Sequence, residues 1–307
     1  MDATHQPVLL AEVLTQLGLR ADGCYVDATF GRGGHSRALL AGLGAGGRLL
    51  AFDRDPEAVA AATAAFGGDP RFTITRGTFS MLERTARELG LIGKVDGILA
   101  DLGVSSPQLD DARRGFSFAI DGPLDMRMDP DSGLSAAEWI ATVGETELIR
   151  VLREYGEERF ARRITRSIIQ RRAEHAFTTT ADLAETVARA VPGREPGKHP
   201  ATRTFQAIRI AVNGELDELA AFLPQCPRVL RIGGRLCAIS FHSLEDRQVK
   251  RFLRGPTSHD GPRGLPLPTV SGARMNPVGR AIRAGAAELR ANPRARSAVL
   301  RIGERVA

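Results

Sequence analysis

YVDATFGRGGHS, residues 25–36, decides the fold: an apolar run ends in Asp27, turns through Gly31, Gly33 and Gly34, and enters a helix. A strand, a Gly-rich turn and a helix in that order bring free backbone N–H groups and a closely approachable backbone to the strand end, where a nucleotide-like ligand fits. The GRGG spacing is not the GxGxxG of dinucleotide enzymes, and no Lys-Ser or Lys-Thr pair follows the turn, which excludes a P-loop. Twenty residues past Gly33, the run RLLAFD (48–53) ends in Asp53. A carboxylate there can accept both hydroxyls of a ribose, so turn and acid together describe a site for an adenosine cofactor rather than a bare phosphate.

Working outward, CYVDATF (24–30), RLLAFD (48–53), RFTITRG (71–77) and VDGILADLG (95–103) read as strands. Between them lie the helix-like stretches SRALLAGL, PEAVAAATAAF and FSMLERTAREL, the second opened by Pro56 near its first turn. This βαβαβαβ order predicts an α/β fold with a Rossmann-like, doubly wound parallel sheet, whose ligands bind beyond the carboxyl ends of the strands. Two more strand ends fall at that place. Phe79 follows the third strand, where its ring either covers an adenine or packs in the core. Asp101 closes the fourth strand in ADLGVSSPQLD, either as a group at the reaction centre or ahead of a loop that caps a helix with Ser105 or Ser106.

From residue 111 to 200 the pattern changes to amphipathic helices, ETELIRVLREYG and EERFARRITRSIIQRRAEH among them, closed by the cluster VPGREPGKHP (191–200). The spacing predicts a helical domain over 111–200 inserted into a domain made of 1–110 and 201–307. TRTFQAIRIAVNGELDELAAFL (202–223) then reads as one long helix returning to the sheet. After the Gly233-Gly234 turn come strands at RLCAISF (235–241) and RSAVLRIGER (296–305), and the Pro- and Gly-rich residues 255–280 read as a mobile loop.

The chain has 307 residues with no apolar run long enough to span a membrane and no basic-then-apolar leader at its start, so a cytoplasmic, non-membrane protein is expected. Its cysteines, Cys24, Cys226 and Cys237, show no CxxC spacing, which points to buried thiols rather than disulfides or a metal site. The net charge of +6 is uneven: residues 247–307 hold 13 Lys or Arg against 3 Asp or Glu, and the remainder is acidic by 4. A basic end of this kind is the footprint of a polyanion binder. That 39 of the 42 basic residues are Arg is a matter of codon usage, which does not account for the clustering.

The segments HQPVLLAEV, DATFGRGGHS, AFDRDP, ADLGVSSPQLDDARRGFSF with PLDMRM, HPATRTFQAIRIAVN, SFHSLEDRQVK and NPRARSAVLRIGER span nearly the whole chain. In that order they resemble the MraW/RsmH family, the 16S rRNA cytosine-N4 methyltransferases. The resemblance implies a class I S-adenosylmethionine-dependent methyltransferase fold with its helical domain inserted after the fourth strand. It also implies methyl transfer from S-adenosyl-L-methionine to a cytidine amine in the decoding region of 16S rRNA. Carried over position by position, the cofactor contacts are Gly33, Gly34, His35, Asp53, Phe79, Asp101 and Gln108, with Asp101 also nearest the reaction. His35 and Gln108 rest on the resemblance alone; by itself His35 reads as a solvent-facing residue at a helix start.

An exocyclic amine conjugated to its ring is a poor nucleophile that must be oriented with its N–H bonds engaged, which suits the polar strand end at Asp101. DLGVSS holds no aromatic to stack a flipped base, so Phe116, Phe118 or an arginine of the insert is expected to do so; Trp139, at helical spacing, reads as core. No cysteine stands in a motif for attack on carbon 5 of a pyrimidine. For RNA the candidates are Arg159, Arg163 and Arg166, which with Arg162 share a helical face, then His242 after the late strand, and Lys250, Arg251, Arg294 and Arg296. The partner is 16S rRNA, within the small ribosomal subunit, with a homodimer left open. The competing reading is a nucleotide-binding ribosome assembly factor without catalysis.

Overall fold

The computed structural model describes residues 7–193, 197, 199–255 and 274–306. They form two compact units, Met1–Gly103 with Leu216–Ala307, and Val104–Glu215. The first contains strands β1 (Cys24–Asp27), β2 (Arg48–Asp53), β3 (Phe72–Arg76), β4 (Val95–Asp101), β5 (Leu230–Ser240), β6 (Met275–Pro277) and β7 (Val299–Arg305). Its leading helices are α1 (Leu10–Leu17), α2 (Gly34–Gly42), α3 (Pro56–Phe66) and α4 (Leu82–Glu88). The second unit holds α5 (Ser106–Asp110), α6 (Ala136–Thr142), α7 (Glu145–Glu154), α8 (Ala161–Glu174), α9 (Thr180–Ala190) and α10 (Thr202–Asn213). The chain then re-enters the first unit through α11 (Glu215–Phe222), α12 (Cys226–Val229), α13 (Ser243–Arg254) and α14 (Ala286–Ala291).

The sheet order is β3-β2-β1-β4-β5-β7-β6, parallel from β3 to β5, with β7 antiparallel to both β5 and β6. Because both faces are covered, the central strands are apolar at successive positions, and the period-2 alternation sorts them into two cores. Val26, Leu50, Ile98, Ala100 and Ala238 pack with α4, α11, α12 and α13, while Tyr25, Leu49, Ala51, Leu99 and Ile239 pack with α1, α2 and α3. β1 lies between β2 and β4, so the strand order reverses there, and the carboxyl ends of β1 and β4 are where a doubly wound sheet of this order takes its ligand. The predicted α/β, class I, doubly wound sheet with an inserted helical unit is therefore what the chain forms.

Three features differ from the sequence reading. The stretch 202–223 is two helices, because Gly214 at φ +62° caps α10 in the left-handed region, and α10 belongs to the helical unit. The units accordingly divide at 103/104 and 215/216, where the sequence pattern placed the breaks at 110/111 and 200/201. Gly233 and Gly234 lie inside β5, in a bulge where the register against β4 slips between Val95 and Gly97. Of the expected loop over 255–280, residues 256–273 lie outside the described residues, but Met275–Pro277 is a strand, and Ile282 bridges to Leu300 further along the same edge. No helix among the described residues is long and apolar enough to cross a membrane.

The helical unit has its own core, in which Leu148, Ile164, Ile168, Leu183 and Ile208 are fully buried. Trp139 is half-buried against it, as its spacing predicts. Asn213 ties α10 to an irregular segment: its Nδ2 donates to the carbonyls of Met126 and Arg209, and its Oδ1 accepts from the Met128 N–H. Met126 stands at φ +61°, so this segment depends on those bonds. Asn213→Ala leaves a buried N–H and a buried C=O without partners and should destabilise the protein by about 2–4 kcal/mol, at about 1–3 kcal/mol per group; an unchanged midpoint in urea unfolding would remove Asn213 as the tie.

Candidate active site

β1 ends in Asp27, which is buried and points between the turn and the next helix. Its Oδ2 accepts from the Ser36 hydroxyl at 2.6 Å and its Oδ1 from the Thr29 N–H at 3.2 Å. Thr29 in turn accepts, on Oγ1, the N–H of Asp101 at 2.7 Å, so the ends of β1 and β4 are joined by a side chain beyond their last ladder bonds. Asp53, at the end of β2, reaches across to the same turn: its Oδ2 accepts from the Gly31 N–H at 2.7 Å, and its Oδ1 accepts from the Asp55 N–H at 2.9 Å. Each Asp53 oxygen keeps a further lone pair for a ligand hydroxyl.

The glycines of the turn answer to the protein's own packing. Gly33 takes φ +72°, and a Cβ there would stand 2.5 Å from the Phe30 ring, which packs with Phe66 and Phe72. At Gly34 a Cβ would run into Pro7.

His35 opens α2 with its ring buried, not solvent-facing, and its Nε2 lies 3.6 Å from Asp101 Oδ2. Asp101 Oδ1 is buried without a hydrogen-bond partner among the described residues. Burial lifts the Asp101 carboxyl to about 8, with the charges of Asp27 and Glu245 adding to the effect. Burial also lifts Asp27 to about 6 against the pull of its Ser36 and Thr29 bonds, and Asp53 to about 6 against the two N–H groups it accepts. Three strand-end carboxylates are thus each held above their ordinary range. That is the electrostatic setting for a cationic ligand carrying hydrogen-bond donors, which would supply the missing positive charge.

The structure brings Gly33, Gly34, His35, Asp53 and Asp101 together at the carboxyl ends of β1, β2 and β4. Phe79 sits just past β3, half-buried, with its ring edge-on to Phe222 at 5.1 Å, so one side of it is core. Gln108 belongs to the helical unit, where its Oε1 accepts from the Ser105 N–H in a capping box at the start of α5. Thr29 and Ser36 were not singled out from the sequence; the D-x-T spacing of an Asx turn was the available signal. Phe116 is buried in the helical core, and Phe118 packs on Phe205 and His199 with ring centroids at 4.7 Å.

Among the RNA candidates, Arg162, Arg163 and Arg166 are exposed on α8 while Ile164, Thr165 and Ile168 face inward; Arg159 is exposed in the turn ahead of the helix rather than on it. None of the four has an ion-pair partner among the described residues. His242 is the N-cap of α13: its Nδ1 accepts from the Glu245 N–H and its Nε2 lies 3.2 Å from Glu245 Oε1, a structural use of the ring. Lys250 and Arg251 are exposed on α13, and Arg294 and Arg296 are exposed in the 3₁₀ turn Pro293–Ser297.

A carboxyl lifted on folding holds its proton in the native state where the unfolded chain has lost it. Its contribution to stability is fully present below about 4 and is lost as pH rises through about 8. Asp101→Asn removes that dependence. The stability of the variant relative to the ligand-free parent should rise between pH 4 and pH 8 and level off above; a pH-independent difference in unfolding free energy would refute the proton-holding state of Asp101.

The sequence model of the MraW methylase family matches residues 2–306. "Ribosomal RNA small subunit methyltransferase H" of Thiobacillus denitrificans is 58% identical over 310 residues, covering 100% of this chain and 99% of that protein. The protein of the same name from Thioalkalivibrio sulfidiphilus is 58% identical over 306 residues, covering 99% and 98%. That from Coxiella burnetii is 54% identical over 303 residues, covering 98% and 99%. With a full-length family match and relatives of this similarity across their whole length, the chain belongs to the MraW methylase family.

Proposed function

We propose that the protein is an rRNA methyltransferase that moves the methyl group of S-adenosyl-L-methionine to the exocyclic N4 amine of a specific cytidine in the decoding region of 16S rRNA, within the small ribosomal subunit. The names of its relatives support the rRNA substrate. The observation that carries the chemistry is the pair of strand-end carboxylates, buried Asp27 and half-buried Asp101, beside the Gly31–Gly34 turn, with Asp101 Oδ1 buried and unpartnered among the described residues. S-adenosylmethionine fits that setting because it is cationic at sulfur and at its amino group. When bound it supplies an electrophilic methyl carbon, whose bond to sulfur breaks as the bond to nitrogen forms.

The chain's own residues then bind and orient. Asp53 would accept the ribose hydroxyls, the backbone at Gly33 and Gly34 with His35 and Phe79 would hold the rest of the cofactor, and Asp101 Oδ1 would accept an N–H of the incoming amine, whose proton is lost to solvent once the methyl group is on nitrogen. Positioning supplies most of the rate, since two reactants held in line react as one. Nitrogen is favoured over carbon 5 because the latter needs a thiolate. Burial pushes the thiols of Cys226 and Cys237 far up and that of Cys24 to about 11, and Cys24 opens β1, at the opposite end of the sheet from Asp101. Arg162, Arg163 and Arg166, exposed and without an ion-pair partner among the described residues, suit the helical unit to substrate recognition, through phosphate contacts.

Purified protein given methyl-labelled S-adenosylmethionine with unmodified small subunits, naked 16S rRNA and a DNA control should label one cytidine amine of the RNA. Label on carbon 5 or on another nucleotide would overturn the assignment, and cofactor binding with no transfer would favour the assembly-factor reading. Asp53→Ala should weaken cofactor binding about ten-fold or more, the loss of one charge-assisted bond at about 1.5 kcal/mol or more; unchanged affinity by calorimetry would remove Asp53 from the ribose.

A further inference from the structure

The surplus of positive charge near the C-terminus divides by strand register into two groups at opposite ends of the sheet. At the reaction end, Asp101 pairs with Ile239 on β5, and Ser240 pairs with Val299 at the start of β7. Ile282 exchanges both backbone bonds with Leu300, so residues 282–283 form the outer edge of the sheet level with that end. Ala295 and Ala298 pack in one cluster with Val8, Leu9 and Phe30, and Glu288 on α14 accepts the Leu9 N–H at 2.7 Å, just past Pro7, which lies on Gly34 of the turn. Arg283, Arg290 and Arg296 ride on this segment, and all three are exposed and without an ion-pair partner among the described residues.

The other group lies at the far end. α13 leaves Ser240 and runs back along the sheet until Leu253 meets Gly303 and Met275, where Arg305 pairs with Met275. The last turn of α13, with Arg251 and Arg254, and the exposed Arg274 beside Met275 are therefore remote from the strand ends that carry Asp27 and Asp101.

We infer that Arg283, Arg290 and Arg296 form a phosphate-binding edge of the active-site face, which grips the backbone of the substrate RNA beside the target base, and that the cations at the end of α13 take no part. Three strand spacings separate Asp101 from this edge, about 14 Å, so the phosphates held are those of nucleotides close to the target rather than of a distant helix. Unneutralised guanidinium groups release counterions on meeting phosphates, and Glu288, the acid of this segment, is engaged by the Leu9 N–H rather than by any of the three. This rests on the RNA methyltransferase reading above.

The test measures RNA binding by the full-length protein against salt, together with methylation kinetics on small subunits and naked 16S rRNA, for the parent, Arg283→Ala/Arg296→Ala and Arg254→Ala/Arg274→Ala. The first pair should lower the slope of log affinity against log salt by about 1.4–1.8, at ~0.7–0.9 per lost phosphate contact, and raise KM for RNA with kcat at saturating RNA unchanged. The second pair should leave slope and KM unaltered. Equal slopes in parent and first variant, or an equal loss in both variants, would overturn the inference while leaving the methyltransferase reading intact. A parent protein that methylates no RNA would instead sink the reading it rests on.

Discussion

Everything at the functional end of this protein depends on a buried carboxylate, Asp27, having its hydrogen bonds made where the strand order reverses. A charge at the end of β1 is costly to desolvate. The Ser36 hydroxyl and the Thr29 N–H offset part of that cost, and in doing so they fix the first turn of α2 and the path of the Gly-rich turn. Thr29 then secures β4 through the Asp101 N–H, so the carboxyl ends of β1 and β4 hold a common level. The Gly-rich turn, Asp53 and Asp101 all take their positions from this short chain of bonds.

The remaining electrostatics follow from how little positive charge stands near those acids. Burial raises Asp27, Asp53 and Asp101 alike, and the charge of Asp27 adds to the rise at both Asp53 and Asp101. By contrast, Asp96 near the other end of β4 faces Arg20 at 2.9 Å and Arg231 at 2.5 Å and is held below the usual carboxylate range despite its burial. One strand therefore carries a neutralised acid toward its entry and an uncompensated one at its exit. The first fastens the sheet and the second leaves a demand that a cation can meet.

The helical unit uses its arginines in the same two ways. Arg150 is braced by Glu147 and Glu154, Arg171 by Asp182, and Arg172 donates to the carbonyls of Ile140 and Val143 at the end of α6. Those are structural cations. Arg162, Arg163 and Arg166 on the same α8 are exposed with no such neighbour among the described residues. Composition counts both kinds alike, so the overall charge of +6 says less about a polyanion surface than the pairing does.

Local pattern made much of this legible from residues alone. The first four strands, the acids that close three of them, the Gly-rich turn and the helical insert are all written in short-range periodicity and in residue types that only a strand end or a tight turn requires. The ring of Phe79 was open between ligand and core, and the structure shows it packed edge-on to Phe222, a partner 143 positions away in sequence. Gly214 ended a helix that apolar spacing alone would have continued, because spacing does not report φ. The edge strand at Met275–Pro277 is too short and Pro-rich to announce itself and exists only through its pairing with β7. Its side chains, the inward-facing ring of His35, the raised carboxyls and the sorting of C-terminal cations to two ends of the sheet were decided by tertiary structure. Burial and strand register join residues far apart in the chain, and neither is a property of any one stretch of sequence.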